Sequence, residues 1–154
     1  MTLSRDDDPA VQARRLTLAL YQPDIPQNAG TMLRACACLG VGAAIIEPAG
    51  FPVSDRHFRR SGMDYLDHVA IERHISFGAF QDWRAAAGRR LVLLTTTGAV
   101  NYTDFAFRPG DILMVGRESA GVPADVHAAA DARISSPFAA ACARSMLRSR
   151  QPWH

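Results

Sequence analysis

LTLALYQPDIPQNAGTMLR, from Leu16 to Arg34, contains the transition that decides the fold. Leu16–Tyr21 is a short apolar run of strand type. After a turn, Asn28 offers an N-cap for a helix to about Leu39, where Gly40 supplies the stop. The same order recurs along the chain. Ala43–Ile46 reads as a buried strand, and Ser54 as the cap of a basic helical turn through Arg60. Val69 and Ile71 alternate with polar neighbours like a half-buried strand. Ser76 to Ala87 reads as a helix closed by Gly88, Leu91–Thr95 as a strand, and Asn101 and Tyr102 as part of a loop. Ile112–Val115 is a further strand, and Pro123 suits the first turn of a helix to about Ala130. This alternation predicts an α/β fold, a mostly parallel sheet with helices on both faces. Residues 1–15 read as a flexible polar arm and 16–154 as a single domain without internal repeats.

The composition narrows the function classes. The chain has 154 residues, 48% hydrophobic and 21% charged, enough for one globular core. A formal net charge of +2 is too small to argue nucleic-acid binding without a local patch. Cys36, Cys38 and Cys142 have neither a pairing pattern nor metal-ligand spacing, and read as buried small hydrophobes in a reducing cytoplasm. The N-terminal stretch has no apolar secretion core, and no run reaches the roughly 20 apolar residues of a membrane span.

Chemistry concentrates at two glycine-containing junctions, because turns at strand ends of an open α/β sheet expose backbone N–H groups to ligands. Asn28, Gly30 and Arg34 form the first. A guanidinium there can clamp a phosphate or polarise a neighbouring hydroxyl, although a capping Asn, a turn Gly and a solvated Arg would look the same. The second is GRESAGVP (Gly116–Pro123), directly after a strand. Gly116 and Gly121 allow close backbone approach, and Glu118 can orient a ribose or simply sit on a tight turn. LLTTTG (Leu93–Gly98) ends a third strand, expected at the same sheet edge, so that three turns outline one crevice. Arg56, His57, Arg59 and Arg60 form a basic cluster near Tyr65, which is either a solvated helical face or a track for phosphates. His68, His74 and His127 have no partner pattern, so no metal site is expected.

These motifs, in this order, resemble the SPOUT class of RNA methyltransferases, in particular its small members that modify the wobble nucleotide of tRNA. The resemblance runs from Leu18 to about Ile134 through YQPDIPQNAGTMLR, IIEP, RRSGMDY, LLTTTG and LMVGRESAGVP. It implies a trefoil-knotted domain that binds S-adenosyl-L-methionine through backbone groups of Leu94, Gly116 and Ile134, with Gly121 in the same pocket. Arg34 would act at the target ribose together with an RNA phosphate, assisted by Asn28 and Glu118. Arg56, Arg59 and Arg60 would contact the anticodon stem-loop of tRNA. The resemblance further implies a cytoplasmic homodimer with active sites at the subunit interface.

The tail departs from that pattern. After Ile134 the family continues with a short loop and a Ser-(Leu/Met)-Asn motif opening a final helix, whereas Ser145-Met146 here is followed by Leu147 and an Arg-rich run. From Ala139 the tail can be back-translated into codons that, read two bases later, spell GGLRSLNVAVAAAMA, the sequence the family would place there. Residues 137–154 are therefore expected to be an aberrant, frameshifted segment near Pro137–Phe138, with the final helix missing or altered and the cofactor-closing motif absent. A catalytically impaired remnant or an RNA-binding module of the same fold is the alternative reading.

Overall fold

The computed structural model describes residues 10–11, 15–51, 71–97, 100–117 and 120–136. In chain order these form β1 (Thr17–Tyr21), α1 (Pro26–Leu39), β2 (Gly42–Ile46), β3 (Ile71–His74), α2 (Phe77–Ala86), β4 (Leu91–Leu94) and β5 (Val100–Asn101). A 3-10 turn (Tyr102–Asp104), β6 (Ile112–Val115), α3 (Ala124–Ala129) and β7 (Ala132–Ser135) follow. Seven strands pair in the order β3-β2-β1-β6-β4-β7-β5, and every ladder is parallel.

Side-chain alternation divides the core between the two sheet faces. Leu20, Ala43 and Ile45 meet Ala29, Leu33 and Cys36 of α1 on one face. Ala19, Tyr21, Ala44, Ile46, Ile112 and Met114 meet Phe80 of α2 and Val126 of α3 on the other. The expectation of helices on both faces is borne out. Burying a side chain such as Leu33, which is fully inaccessible, contributes about 1.5–3 kcal/mol.

Local details correct several sequence readings. Asn28 does not cap α1. The helix starts at Pro26, whose missing N–H costs nothing there, and Ile25 precedes it in extended conformation without a side-chain cap. Gly30 is not a turn residue but lies inside α1 on its buried face, while Gly40 ends the helix at φ 66° as expected. Cys36 is buried but Cys38 is exposed, since residues two apart on a helix point in different directions. Ser76 caps α2 through a 3.1 Å bond from the Ala79 N–H. Strands β5 and β7 were not anticipated. One has only two residues and the other, ARIS, has no apolar run. The basic turn from Ser54 to Arg60, Val69, most of the N-terminal arm and the tail 137–154 lie outside the described residues.

The placement of β7 matters for the site edge. Ile134 is level with Leu94 on one side and with Val100 on the other. β4 and β5, separated in sequence by residues 95–99, are therefore not neighbours in the sheet but flank β7.

Polar side chains fasten the opposite, N-terminal edge. Arg89 donates to Gly110 O, Arg15 O and Thr17 Oγ1 at 2.7–2.9 Å. Asp111, only 2% exposed, accepts from Arg90 Nη2 at 2.6 Å, Arg90 Nε at 3.0 Å and the Arg108 N–H at 2.8 Å. Burial by itself raises the Asp111 pKa, but these donors and the Arg90 and Arg108 charges outweigh it and hold the carboxyl below its usual range. A depressed folded-state pKa contributes stability above the unfolded value that is lost as pH falls through the folded one. Asp111→Asn is expected to cost about 1–3 kcal/mol near neutrality. In urea titrations the gap from the parent chain should narrow as pH falls below about 4, the unfolded carboxyl value.

Candidate active site

In a parallel sheet all strands deliver their carboxyl ends to one edge, and here the register keeps those ends level. Leu20 pairs with Val115, Val115 with Leu94, and Leu94 with Ile134. The loops after β1, β6 and β4 therefore emerge at one edge. Between the last two lies a cleft of about 270 Å³, with Leu93–Thr96 on one side and Gly116, Arg117, Gly121 and Val122 on the other. The sequence predicted that all three would outline one crevice, but the loop after β1 does not line the cleft.

The β6 wall is a closed turn. Arg117 and Gly121 exchange backbone bonds in both directions, Arg117 N–H to Gly121 O at 2.9 Å and Gly121 N–H to Arg117 O at 2.8 Å. Gly121 takes φ +64°, a left-handed conformation suited to glycine. A Cβ on Gly116 would lie 2.7 Å from the Gly121 carbonyl carbon. The space expected to admit a ligand at Gly116 is thus first required by the turn's own backbone. Opposite, the Thr95 N–H is spent on Ile134 O at 2.9 Å, and Thr95 Oγ1 lies 3.2 Å from Thr97 Oγ1. Ile134 is buried on β7 behind Leu94 and is not part of the cleft lining.

Of the residues expected to form the site, Leu94, Gly116 and Gly121 come together at the cleft. Asn28 and Arg34 are exposed on α1, the helix that leaves the neighbouring β1 loop, and neither lines the cleft. Glu118, Arg56, Arg59 and Arg60 lie outside the described residues. Among the described residues no group of three or more His, Cys, Asp or Glu is arranged to hold a metal ion. Nor is any described helix long and apolar enough to cross a membrane.

Two functional candidates escaped the sequence reading. Asp24, in the loop between β1 and α1, reaches Arg117 in the β6 turn, with Oδ2 and Nε 3.8 Å apart. The available signal was an acid between two prolines in one motif and a base beside Glu118 in the other, but only the sheet order makes them neighbours. Tyr21, at the end of β1, is buried. Burial and the Asp125 carboxylate raise its pKa, against a smaller opposite influence of Arg117, so its hydroxyl is protonated at neutral pH.

Comparison with known proteins agrees with this geometry. Residues 15–146 match the model of the SpoU rRNA Methylase family. A tRNA (cytidine(34)-2'-O)-methyltransferase of Beijerinckia indica is 74% identical over 121 residues, covering 79% of this chain and 76% of the relative. A solved structure described as "Structural insights into the 2-OH methylation of C/U34 on tRNA" superposes with a TM-score of 0.76 at 34% identity, covering 88% of this chain and 96% of that one. The AdoMet-bound rRNA methyltransferase from Sinorhizobium meliloti superposes with a TM-score of 0.75 at 25% identity, covering 89% of this chain and 52% of that one.

Gly116→Ala tests the turn directly. Its Cβ must displace backbone rather than a flexible side chain, so the Arg117–Gly121 bridge should open at a cost of about 1–3 kcal/mol, read as a lowered midpoint in thermal unfolding. Gly88→Ala, where a Cβ meets nothing within 4 Å but φ is +63°, provides the control for left-handed strain alone.

Proposed function

Because the chain belongs to the SpoU rRNA Methylase family, we propose that it transfers a methyl group from S-adenosyl-L-methionine to the ribose 2'-hydroxyl of nucleotide 34 of tRNA. The observation that carries this reading is the cleft at the level carboxyl ends of β4 and β6, built from the LLTTTG and GRESAGVP motifs. The site suits the cofactor. Leu93 and Val122 offer apolar walls to a planar base, while backbone groups around Leu94, Gly116 and Gly121 offer polar contacts at the rim, with Ile134 behind them. When bound, the cofactor supplies an activated methyl on a sulfonium.

The chain's own residues must then align the acceptor and take charge of a proton. A free ribose hydroxyl is a weak nucleophile, and alignment with partial deprotonation supplies what the reaction lacks. Arg34, exposed one turn beyond Gly30, holds the RNA phosphate against the 2'-hydroxyl, so that the proton would pass to a phosphate oxygen while the methyl carbon exchanges its bond to the sulfonium sulfur for one to the ribose oxygen and the thioether leaves. Asn28 and Glu118 orient the ribose and the adjoining loop, and Arg56, Arg59 and Arg60 track the anticodon stem-loop backbone. The fold is of the trefoil-knot type, and its members work in the cytoplasm as homodimers, with Arg34 of one protomer serving the cleft of its partner.

Residues 137–154 replace the family's closing motif, so this chain is a weak catalyst and a frame-restored version a competent one. Methyl incorporation into a tRNA transcript tests both statements. We expect transfer by the restored chain, a loss of about 100-fold or more in kcat for its Arg34→Ala variant, and S-adenosylhomocysteine affinity in that variant within about threefold of the parent. Equal turnover by the present and restored chains, or a gene in which no shifted frame after codon 135 spells the family helix, refutes the frameshift. Full activity without Arg34 refutes its role.

A further inference from the structure

We propose that Asp24 and Arg117 form a positioning contact that ties the loop entering α1 to the wall of the cleft, so that filling the cleft fixes the end of α1 presented to the RNA. The inference rests on the reading of the cleft as a methyl-donor site.

The entry to α1 has little local support. Ile25 provides no side-chain cap, and no acidic residue occupies the first turn. The helix start is therefore positioned by the preceding loop, which is held from two sides. Behind it, Gly50 N–H donates to Pro23 O at 2.8 Å, and a Cβ on Gly50 would lie 2.9 Å from Asp24 Cα. In front of it stands Arg117. Two prolines, Pro23 and Pro26, restrict what lies between, so displacement of Asp24 is passed on to the first turn of the helix.

Arg117 belongs to both sides at once. Its backbone closes the turn with Gly121, its residue lines the cleft, and its guanidinium faces Asp24. The pair lies 3.8 Å apart, and Arg117 Nε is buried without a hydrogen bond among the described residues. A buried donor without an acceptor is costly, and a movement of less than about 1 Å brings it to hydrogen-bond distance of the carboxylate. A ligand in the cleft excludes water from this pair and strengthens its attraction. Occupancy on the donor side thereby becomes order on the acceptor side, through one contact between loops of adjacent strands.

Two readouts test this, both using S-adenosylhomocysteine as the cleft probe. In the unmodified chain, the probe should slow hydrogen exchange in a peptide covering residues 24–34. It should also tighten binding of a cytidine-34 anticodon stem-loop by about fivefold or more. At saturating probe, Asp24→Asn and Arg117→Gln should each abolish the slowing and reduce the tightening to less than about twofold, and Asp24→Asn, which lies outside the cleft lining, should bind the probe within about threefold of the parent. The double variant should lose no more than either single one, since both act through the same contact. Additive losses, single variants that retain the coupling, or loss of probe binding in Asp24→Asn overturn the assignment. Failure of the unmodified chain alone to bind the probe overturns the inference for this chain, and failure of the frame-restored chain as well overturns the methyl-donor reading itself.

Discussion

The parallel hydrogen-bond ladder is the constraint on which the rest of the molecule depends. Because Leu20, Val115, Leu94 and Ile134 are held level, the loops that follow them leave the sheet at the same height. Residues separated by some ninety positions in the chain, such as Asp24 and Arg117, then become neighbours without either being part of a regular element. A slip of two residues along any one ladder would preserve the buried faces but move one loop out of the cleft by about 7 Å. The site is thus a property of register before it is a property of side chains.

The two edges of the sheet use polar groups differently. At the amino ends, Arg89, Arg90 and Asp111 spend their hydrogen-bonding capacity on one another and on nearby carbonyls. Asp131 does the same for the Leu91 N–H and for Arg84. At the carboxyl ends, the β6 turn satisfies itself and leaves Arg117 only loosely engaged. Among the described residues, hydrogen-bonded ion pairs concentrate on the amino edge, and the longer Asp24–Arg117 contact lies on the edge that carries the cleft.

Much of this was legible in the sequence, and the misses have physical causes. The strands of four or five residues with apolar runs, the glycine stops at Gly40 and Gly88 and the Ser76 cap are local signals, and the structure contains them. Asn28 misled because a good capping residue competed with Pro26, whose fixed φ starts the helix three residues earlier. Strands β5 and β7 escaped because their pairing depends on distant partners and not on their own periodicity. The motifs grouped Leu94, Gly116 and Gly121, and these residues do line one cleft. The ion pair between the motifs could not be read, because no local pattern reports which strands are adjacent.

The position of β7 has a consequence for how the molecule is assembled. β5 pairs only with β7, and β7 must enter between β4 and β5, which the short 95–99 segment already joins. β4, by contrast, can pair with β6 beforehand. Among the described residues the edge strand therefore has no template until β7, the last described strand, has docked, which puts its pairing after that of β4 with β6. A nascent chain released before residue 132 would hold a sheet whose β4 edge is open and whose β5 has nothing to pair with. Such an edge invites pairing with other chains, so the late strand protects against aggregation as well as completing the wall behind the cleft.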